Sequence, residues 1–377
     1  MNVNKAAWVE ISGDALAYNL ETVRSRVKEG TRICAVIKGN AYGHGLTGVK
    51  NLLTERGLAE MTAVGKGSEL LRILRKTEDD GCDVLLLGMA DDKEIESLLK
   101  RAGDKAKRAV FSVYSLNHFR SLNALGIRRR QKIRVHIRVD IWDSGMGLGF
   151  QQFQQKEEEL FSAEGIDICG LYGHLYSAYY DESREETRRE LLKFDSLINS
   201  IRDDHRKKMI VHVMNSSMVF RFPEYSYDMV RVGTAMYGLM CGDGGCLKPV
   251  MKICARIFDV REIDADTPLS YQHRDSSTSR RKIARAMIGY CDCPLLLTQK
   301  DVRVRIGDRI YPLADDICMD NLCIDVTGSD DVAVGDTAVL LGEPGVTDEQ
   351  IICRNNMDYI HSDWLSMTAE RLEKVYV

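Results

Sequence analysis

The chain has no proline in its first half, little net charge and no long hydrophobic run. All six prolines lie at Pro223 or later, and a proline-free stretch of 222 residues favours dense regular structure. The 52 basic and 56 acidic residues leave a net charge of −4, which argues against a nucleic-acid surface and against electrostatic attachment to a membrane. No stretch approaches the roughly 18 uncharged apolar residues that a membrane span needs. We therefore expect neither nucleic acid nor a membrane as a partner.

The cysteines show no sign of a disulfide framework or a metal site. Eleven is an odd number, and no apolar signal core follows Met1, so we expect reduced thiols in a cytoplasmic protein. The close pairs, Cys241 with Cys246 and Cys291 with Cys293, lack the CxxC spacing of zinc knuckles. We predict no bound metal.

Short apolar runs alternate with charged, helix-like stretches between residues 33 and 232. Each run is rich in Val, Ile or Leu, which is typical of strands buried on both faces of a parallel sheet. The eight runs are residues 33–37, 61–64, 84–87, 109–114, 133–139, 166–171, 209–214 and 229–232. Eight such strands with helical connections predict a (β/α)8 barrel, and a doubly wound open sheet is the alternative.

The character of the chain changes from about residue 250. Five of the six prolines lie from Pro249 onward, and short alternating strands are separated by turn clusters. The predicted strands include residues 302–306, 309–313, 322–326 and 338–341. This pattern predicts a mostly antiparallel β domain, which ends in a charged, helix-like stretch at 369–374.

Lys38 ends the first predicted barrel strand, and catalytic groups of such barrels lie at the carboxyl ends of their strands. A buried lysine has a lowered pKa and serves as an amine nucleophile for Schiff-base chemistry. A lysine just clear of the barrel mouth explains the position equally well.

Polar residues also stand at the ends of the last three predicted strands: His174, Asn215, Ser216, Arg231, Gly233 and Thr234. A helix N-terminus with hydroxyl and amide donors binds anions, although an ordinary cap explains Asn215 at least as well. Taken alone, His174 is better explained as a satisfied residue of the barrel mouth. Together with Lys38, the set indicates pyridoxal phosphate (PLP), which needs an amine, a phosphate site and a group facing its ring nitrogen.

Residues 35–45, AVIKGNAYGHG, resemble the signature of the alanine racemases, which are fold-type III PLP enzymes. Further similar segments follow in order over essentially the whole chain: 8–11, 215–217, 221–224, 228–239, 270–271, 288–292, 318–320 and 334–336. The resemblance implies three parts. These are a strand within 1–11 that joins the C-terminal domain, a PLP-binding (β/α)8 barrel over 12–245, and a mostly β domain over 246–377.

The resemblance also implies a role for each matching residue. Lys38 holds PLP through a Schiff base and is one of two acid–base groups; Tyr271, from the partner subunit of a homodimer with shared active sites, is the other. The implied cofactor contacts are Tyr42, His174, Asn215, Ser216, Arg231, Gly233 and Thr234, with Arg231 facing the ring nitrogen. The N–H of Met319 is implied to bind the carboxylate of the amino-acid substrate, and Tyr290 to line the entrance.

The chemistry explains these residue types. Racemisation removes a proton from one face of the substrate and returns one on the other, so it needs two bases on opposite sides of a planar intermediate. A tyrosine, with an ordinary pKa near 10, needs cationic surroundings to act as a base. An arginine at the ring nitrogen keeps its proton, which limits side reactions such as transamination. The expected activity is interconversion of L- and D-alanine or of another small amino acid.

Two positions depart from the family pattern. At or just before Leu148, the family pattern has an arginine that contacts the cofactor and lies near the substrate carboxylate, and this chain has none there. Arg138 stands where many members have a modified lysine that braces that arginine. Glu370 replaces a tyrosine that bounds the substrate pocket. We expect slower turnover of alanine and relatively better use of serine or a basic amino acid. The alternative is that Arg138 or an insertion at 141–143 compensates and alanine stays preferred.

Two other functions share the barrel fold. A fold-type III PLP decarboxylase would need a cysteine placed for proton delivery and a pocket for a basic substrate, and neither is identified in the sequence. A non-catalytic PLP-binding regulator would lack the β domain, so Tyr271 and Met319 argue against it.

Overall fold

The structure is a computed structural model that describes residues 5–77, 80–142, 145–175, 183–239, 247–270, 278–294, 302–346, 365–368 and 370–377. Its first ten strands are β1 (Ala7–Ile11), β2 (Arg32–Val36), β3 (Met61–Val64), β4 (Asp83–Leu86), β5 (Ala109–Val113), β6 (Ile133–Asp140), β7 (Leu148–Gly149), β8 (Ile166–Tyr172), β9 (Ile210–His212) and β10 (Met229–Val232). Eight of them form one parallel sheet in the order β10-β2-β3-β4-β5-β6-β8-β9, with β7 paired to β6.

This parallel sheet closes on itself. The backbone N–H of Arg231 donates to the carbonyl of Met214 at 3.0 Å, and that of Asp228 donates to Val211 at 3.1 Å, so the last two strands meet. Each of the eight predicted apolar runs coincides with one of these strands to within two residues at either end. The predicted (β/α)8 barrel is therefore confirmed, and the open-sheet alternative is wrong.

The helices surround this barrel. They are α1 (Gly13–Arg26), α2 (Lys38–Tyr42), α3 (Leu46–Glu55), α4 (Gly67–Lys76), α5 (Asp92–Ala102), α6 (Leu116–Arg129), α7 (Phe150–Phe161), α8 (Arg184–Ser200), α9 (Asp203–Arg206) and α10 (Ser216–Arg221). Ser12, Asp91 and Ser115 each cap a helix by accepting a backbone N–H three residues later. Among the described residues, no helix combines the length and the apolar character needed to cross a membrane.

A second sheet contains β1 and the strands that follow the barrel. Its further strands are β11 (Met251–Ile263), β12 (Arg281–Ala286), β13 (Arg303–Ile306), β14 (Arg309–Pro312), β15 (Leu322–Asp325), β16 (Thr337–Leu341) and β17 (Glu373–Tyr376). The order is β14-β13-β16-β11-β1-β17, and β12 pairs with β11 and β15. A register shift in β11 between Ile257 and Asp259 accompanies its switch of partners. The predicted mostly β domain is confirmed.

The predicted helix-like ending at 369–374 is wrong for its last residues. Glu373 and Lys374 belong to β17, which runs parallel to β1 with Glu373 opposite Trp8. Local charge patterning favoured a helix, but pairing with a strand from the other end of the chain decides the conformation.

The N-terminus joins the two sheets. β1 pairs with β11 and β17, and directly after it the N–H of Ser12 donates to Val250 at 2.9 Å and that of Gly13 to Val377 at 2.7 Å. The division into 1–11, 12–245 and 246–377 stays a prediction, and its second boundary falls in residues 240–246, outside the described ranges.

Candidate active site

A cavity of about 320 Å³ opens at the carboxyl ends of the barrel strands. Its lining consists of Val36, Lys38, Tyr42, Leu87, Tyr114, Arg138, Tyr172, His174, Asn215, Ser216, Arg231, Gly233 and Thr234. Every site residue that the sequence predicted from the barrel lies in this lining, although these residues are spread over some 200 positions of the chain. Parallel strands bring them together because their carboxyl ends meet at one face.

Lys38 follows β2 after one intervening residue, Ile37, and opens α2. Within a single chain its side chain is exposed. The interpretation of Lys38 as a lysine just clear of the barrel mouth therefore fits better than that of a buried lysine. Gly65 packs closely against one side of Lys38, since a Cβ added to Gly65 would lie 3.2 Å from the Cβ of Lys38. The amine is thus placed in the cavity with room for a small molecule beside it.

The turn that carries Lys38 has the left-handed conformation. Gly39, Asn40, Ala41, Tyr42 and Gly43 have φ values of 62°, 54°, 57°, 51° and 83°. For residues other than glycine this conformation is disfavoured by contact between Cβ and the backbone, so surrounding contacts have to hold it.

Glu69 and Asn40 supply some of those contacts. Glu69 accepts from the N–H of Asn40 at 3.1 Å and, with its other oxygen, from that of Gly65 at 2.9 Å. The side chain of Asn40 accepts from the N–H of Leu46 at 2.9 Å, at the start of α3. A carboxylate from the next barrel unit therefore fixes the turn that positions Lys38.

The C-terminal strand braces the far end of the turn. The hydroxyl of Tyr376 is 3.1 Å from the carbonyl of His44 and 3.3 Å from that of Gly45. A Cβ at Gly43 would lie 1.8 Å from the carbonyl oxygen of Leu365. Glycine is required at 43 both by its positive φ and by this approach.

Ser216, Gly233 and Tyr42 converge at the other end of the cavity. The Ser216 hydroxyl accepts from the N–H of Gly233 at 3.0 Å and from that of Ala235 at 3.2 Å. A Cβ at Gly233 would lie 2.7 Å from the hydroxyl of Tyr42, so glycine allows that ring to approach. Thr234 adds a further hydroxyl to the lining.

Asn215 acts as the cap of α10. Its side-chain oxygen accepts from the N–H of Met218 at 3.1 Å, and its amide donates to the carbonyl of Leu175 at 3.3 Å. The capping interpretation of Asn215 is therefore confirmed, and its side chain also lines the cavity.

Arg231 is a buried residue of the cavity lining and donates to several partners. It donates to Nδ1 of His212 at 2.9 Å, to the carbonyl of Gly173 at 2.9 Å and to that of Val213 at 3.3 Å. Nδ1 of His174 lies 3.4 Å from the same guanidinium, whose carbon is 5.2 Å from the centroid of the Tyr172 ring. These contacts fix Arg231 in one orientation.

A chain of two histidines continues behind Arg231. Because arginine only donates, Nδ1 of His212 carries no proton. A neutral His212 therefore donates from Nε2 to Nδ1 of His136, 2.9 Å away. Both rings are fully buried, and Gly170 makes room for them, since a Cβ there would lie 2.4 Å from the His136 ring.

Burial and charge keep these histidines neutral. Burial, followed by the charge of Arg134 and then that of Arg231, lowers the pKa of His136 to about 3, and burial followed by Arg231 holds the pKa of His212 well below its usual value. Burial, followed by the charges of Arg231, Arg138 and Lys38, lowers the pKa of His174 to about 3. The cavity is thus a site of permanent positive charge with neutral imidazoles.

Of the predicted residues from the C-terminal domain, Met319 and Tyr290 lie together but outside this cavity. The N–H of Tyr290 donates to the carbonyl of Cys318 at 3.1 Å, and that of Cys291 donates to Met319 at 3.2 Å. Met319 is 46 % exposed, and neither residue belongs to the lining. Tyr271 falls outside the described residues.

Two family models match nearly the whole chain. The alanine racemase N-terminal domain matches residues 11–241, and the alanine racemase C-terminal domain matches residues 250–376. The chain belongs to the alanine racemase family. It is similar to alanine racemase from Clostridium tetani, with 28 % identity over 99 % of this chain and 96 % of the relative. It is also similar to alanine racemase from Methanococcus maripaludis, with 27 % identity over all of both chains.

The fold agrees with a solved member of the alanine racemase family. The structure of alanine racemase from Clostridium difficile superposes with a TM-score of 0.89 at 28 % identity, over 100 % of this chain and 96 % of the other. The full-length agreement includes the C-terminal β domain, the part that the regulator hypothesis lacked.

The two departures from the alanine racemase pattern lie in different surroundings. Leu148 is fully buried in the hydrophobic core and pairs with Val139, so its side chain does not line the cavity. Glu370 is exposed and also lies outside the described lining. Arg138 does line the cavity.

Sequence reasoning did not identify His136, His212 and Tyr172 as part of the site. His212 lies three residues before Asn215, and its ring stacks on Tyr172 with 5.1 Å between centroids. A polar ring inside an otherwise apolar strand was the sequence signal that could have identified them. Such a residue is costly to bury unless it is hydrogen-bonded. Among the described residues, no group of three or more His, Cys, Asp or Glu side chains is arranged to hold a metal ion.

Proposed function

We propose that this protein is a PLP-dependent amino-acid racemase that interconverts L- and D-alanine. The observation that carries the proposal is the cavity itself, in which Lys38 and a fixed Arg231 share one barrel mouth in a chain of the alanine racemase family. Both family models and relatives matched over their full length support alanine racemisation.

The donor set fits PLP. The hydroxyls of Tyr42, Ser216 and Thr234 suit a phosphate, and Gly233 keeps that region free of a side chain. Lys38 offers an amine for the aldehyde, and Arg231 offers a fixed cation for the ring nitrogen. When bound, PLP supplies an electron sink that acidifies the α-proton of an amino acid.

Two residues of the chain are proposed to move protons. Lys38 exchanges a proton at the substrate α-carbon from one face, and Tyr271 does so from the other. Arg231 holds its charge without giving up a proton, and the histidines behind it fix its orientation. His174 stays neutral beside the ring because of its lowered pKa.

A second copy of the chain is proposed to complete the site. Met319 and Tyr290 lie on one edge of the C-terminal domain, outside the cavity of their own chain. In a homodimer with shared active sites, Tyr271, Met319 and Tyr290 of one chain serve the cavity of the other.

We propose further that the protein works in the cytoplasm and follows the three-part division predicted above. All eight cysteines in the described ranges are free thiols, which suits a reducing compartment. The pairing of β1 with β11 and β17 supports a first segment that belongs to the C-terminal sheet.

The test is α-proton exchange. L- or D-alanine is incubated with the purified protein in deuterated water, and chiral chromatography with mass spectrometry follows both enantiomers. We expect deuterium in both enantiomers together with racemisation. Phenylalanine at Tyr271 should abolish exchange on one face and spare it on the other. The proposal would be refuted if the protein racemised none of the four amino acids alanine, serine, lysine and ornithine.

A further inference from the structure

Arg138 provides a third positive charge at the barrel mouth. It lies near the end of β6, and its guanidinium carbon is 5.4 Å from the centroid of the Tyr114 ring. Such a distance gives a cation–π contact, which holds the planar group against the ring. Arg138, Tyr114 and Lys38 all line the same cavity.

The positive charges of the cavity lining suit two anionic groups bound in the cavity. Three cations, Lys38, Arg138 and Arg231, face this space, and the described lining contains no carboxylate. Arg138 acts on the interior of the site, since its charge is among the causes that lower the pKa of His174. A PLP phosphate supplies one anion, beside Ser216. An amino-acid substrate supplies the second, its α-carboxylate.

Two of the three cations are already assigned. Arg231 is only 5 % exposed and donates to His212 and to carbonyl groups of the barrel. Lys38 is assigned to the cofactor aldehyde and to proton transfer. Arg138 is a half-buried residue of the same cavity lining.

We propose that Arg138 binds the α-carboxylate of the substrate. The inference rests on the proposed function and names a residue that orients the substrate. A guanidinium offers two parallel N–H donors to a carboxylate, so it fixes both the position and the rotation of that group. Tyr114 is the support that keeps the guanidinium in place.

The test separates carboxylate binding from catalysis. Propionate has the carboxylate of alanine but no amine, and ethylamine has the amine but no carboxylate. Holoenzyme carrying Arg138→Met or Arg138→Lys is titrated with propionate by calorimetry, and its reaction with ethylamine is followed by absorbance. The matched control is Lys132→Met, just before the same strand, because Lys132 is exposed and lies outside the lining.

We expect Arg138→Met to weaken propionate binding about tenfold or more, the usual effect of losing a charged hydrogen bond. Arg138→Lys keeps a positive charge without the paired donors, so it should recover part of the affinity for propionate. The reaction with ethylamine should be unchanged in both variants. KM for alanine should rise in Arg138→Met and stay unchanged in Lys132→Met.

Propionate affinity within twofold of wild type in Arg138→Met would overturn the inference, whether or not the protein racemises alanine. Equal losses for propionate and ethylamine, with a shifted cofactor absorbance, would also overturn it, because Arg138 would then act on the cofactor. Wild-type protein that binds propionate through Arg138 without racemising any amino acid would sink the proposed function and leave this inference standing.

Discussion

The barrel and the C-terminal domain contribute to the candidate site in opposite ways. The barrel gathers its predicted residues into one cavity within a single chain, and Arg231, His212 and His136 are fixed there by buried hydrogen bonds. The C-terminal domain holds Met319 and Tyr290 next to each other but away from that cavity. One half of the proposed site is therefore built by the fold of the chain, and the other half is proposed to come from a second copy of the chain.

This difference separates two kinds of sequence motif. Motifs at the carboxyl ends of barrel strands have positions that the fold determines, so a cavity made from them is complete in one chain. Motifs on the C-terminal domain are proposed to act on the cavity of a partner chain. Their spacing along the sequence carries no information about the distance to Lys38.

Replacing Lys38 by alanine tests the barrel half of the comparison and should have the largest effect. Racemisation should fall about ten-thousandfold or more, because both the covalent attachment and one proton-transfer group are lost. Steady-state assays and the visible absorbance of bound PLP measure the two losses. Lys93→Ala on the exposed face of α5 is the control and should behave as wild type. A variant that keeps both turnover and the absorbance band would refute the assignment of Lys38.

A mixed dimer sharpens the comparison. Chains with Lys38→Ala and chains with Tyr271→Phe are co-expressed with different affinity tags, and the heterodimer is isolated. If sites are shared, one of its two sites contains both intact residues, so about half of the wild-type activity should return from two nearly inactive parents. A tagged wild-type pair is the control. A heterodimer as inactive as its parents would show that Tyr271 acts within its own chain.

Acid stability tests how firmly the barrel half is built. A buried histidine with a pKa of about 3 binds its proton far more weakly than in the unfolded chain, where the pKa is about 6.5. Its contribution to stability is complete above pH 6.5, decreases as the pH falls below that value, and is fully lost near pH 3. In this window His136→Gln should flatten the pH dependence of the unfolding free energy by about 1.4 kcal/mol per pH unit.

Urea unfolding between pH 7 and 4.5 measures that slope. The packing cost of the substitution is the same at each pH, so it cancels when slopes are compared. Equal slopes for the variant and the wild type would mean that His136 is protonated in the folded protein.

The link between the two halves should give the smallest effect. Tyr376→Phe removes the hydroxyl that bonds to the carbonyls of His44 and Gly45, at a cost of about 1 kcal/mol in unfolding free energy. Tyr18→Phe, at a tyrosine that is 37 % exposed on α1, is the matched control and should change stability by under about 0.5 kcal/mol. A cost for Tyr376→Phe no greater than that of the control would mean that the C-terminal strand does not brace the Lys38 turn.

The barrel was predictable because its strands are buried on both faces. Such strands appear as continuous apolar runs, and the runs at 61–64 and 229–232 match β3 and β10 residue for residue. The strand β17 was not predictable from local pattern, since its conformation depends on pairing with β1 more than 360 positions away. The contact of Arg231 with His212 was equally hidden, because hydrogen bonds between strands leave no periodic trace.

A glycine motif near Lys38 likewise cannot be interpreted from local sequence pattern alone. Gly43, Gly45 and Gly48 follow the first barrel strand with the G-x-G-x-x-G spacing of a dinucleotide-binding loop. In the structure, a Cβ at Gly45 or Gly48 would lie within 2.3 Å of the Tyr376 side chain, and one at Gly43 would strike the backbone of Leu365. These glycines make room for the C-terminal segment, so the motif has a packing explanation in this fold.

The left-handed turn beside Lys38 has a consequence for how this segment tolerates substitution. Asn40, Ala41 and Tyr42 each adopt a conformation that costs an ordinary residue about 1–2 kcal/mol, and glycine almost nothing. Along these three positions alanine, the best residue of a right-handed helix, is therefore a poor choice for the backbone, and glycine a good one. A library of variants at Ala41 would enrich glycine, whereas proline, whose φ is fixed at a negative value, and the β-branched residues would be the most strongly depleted.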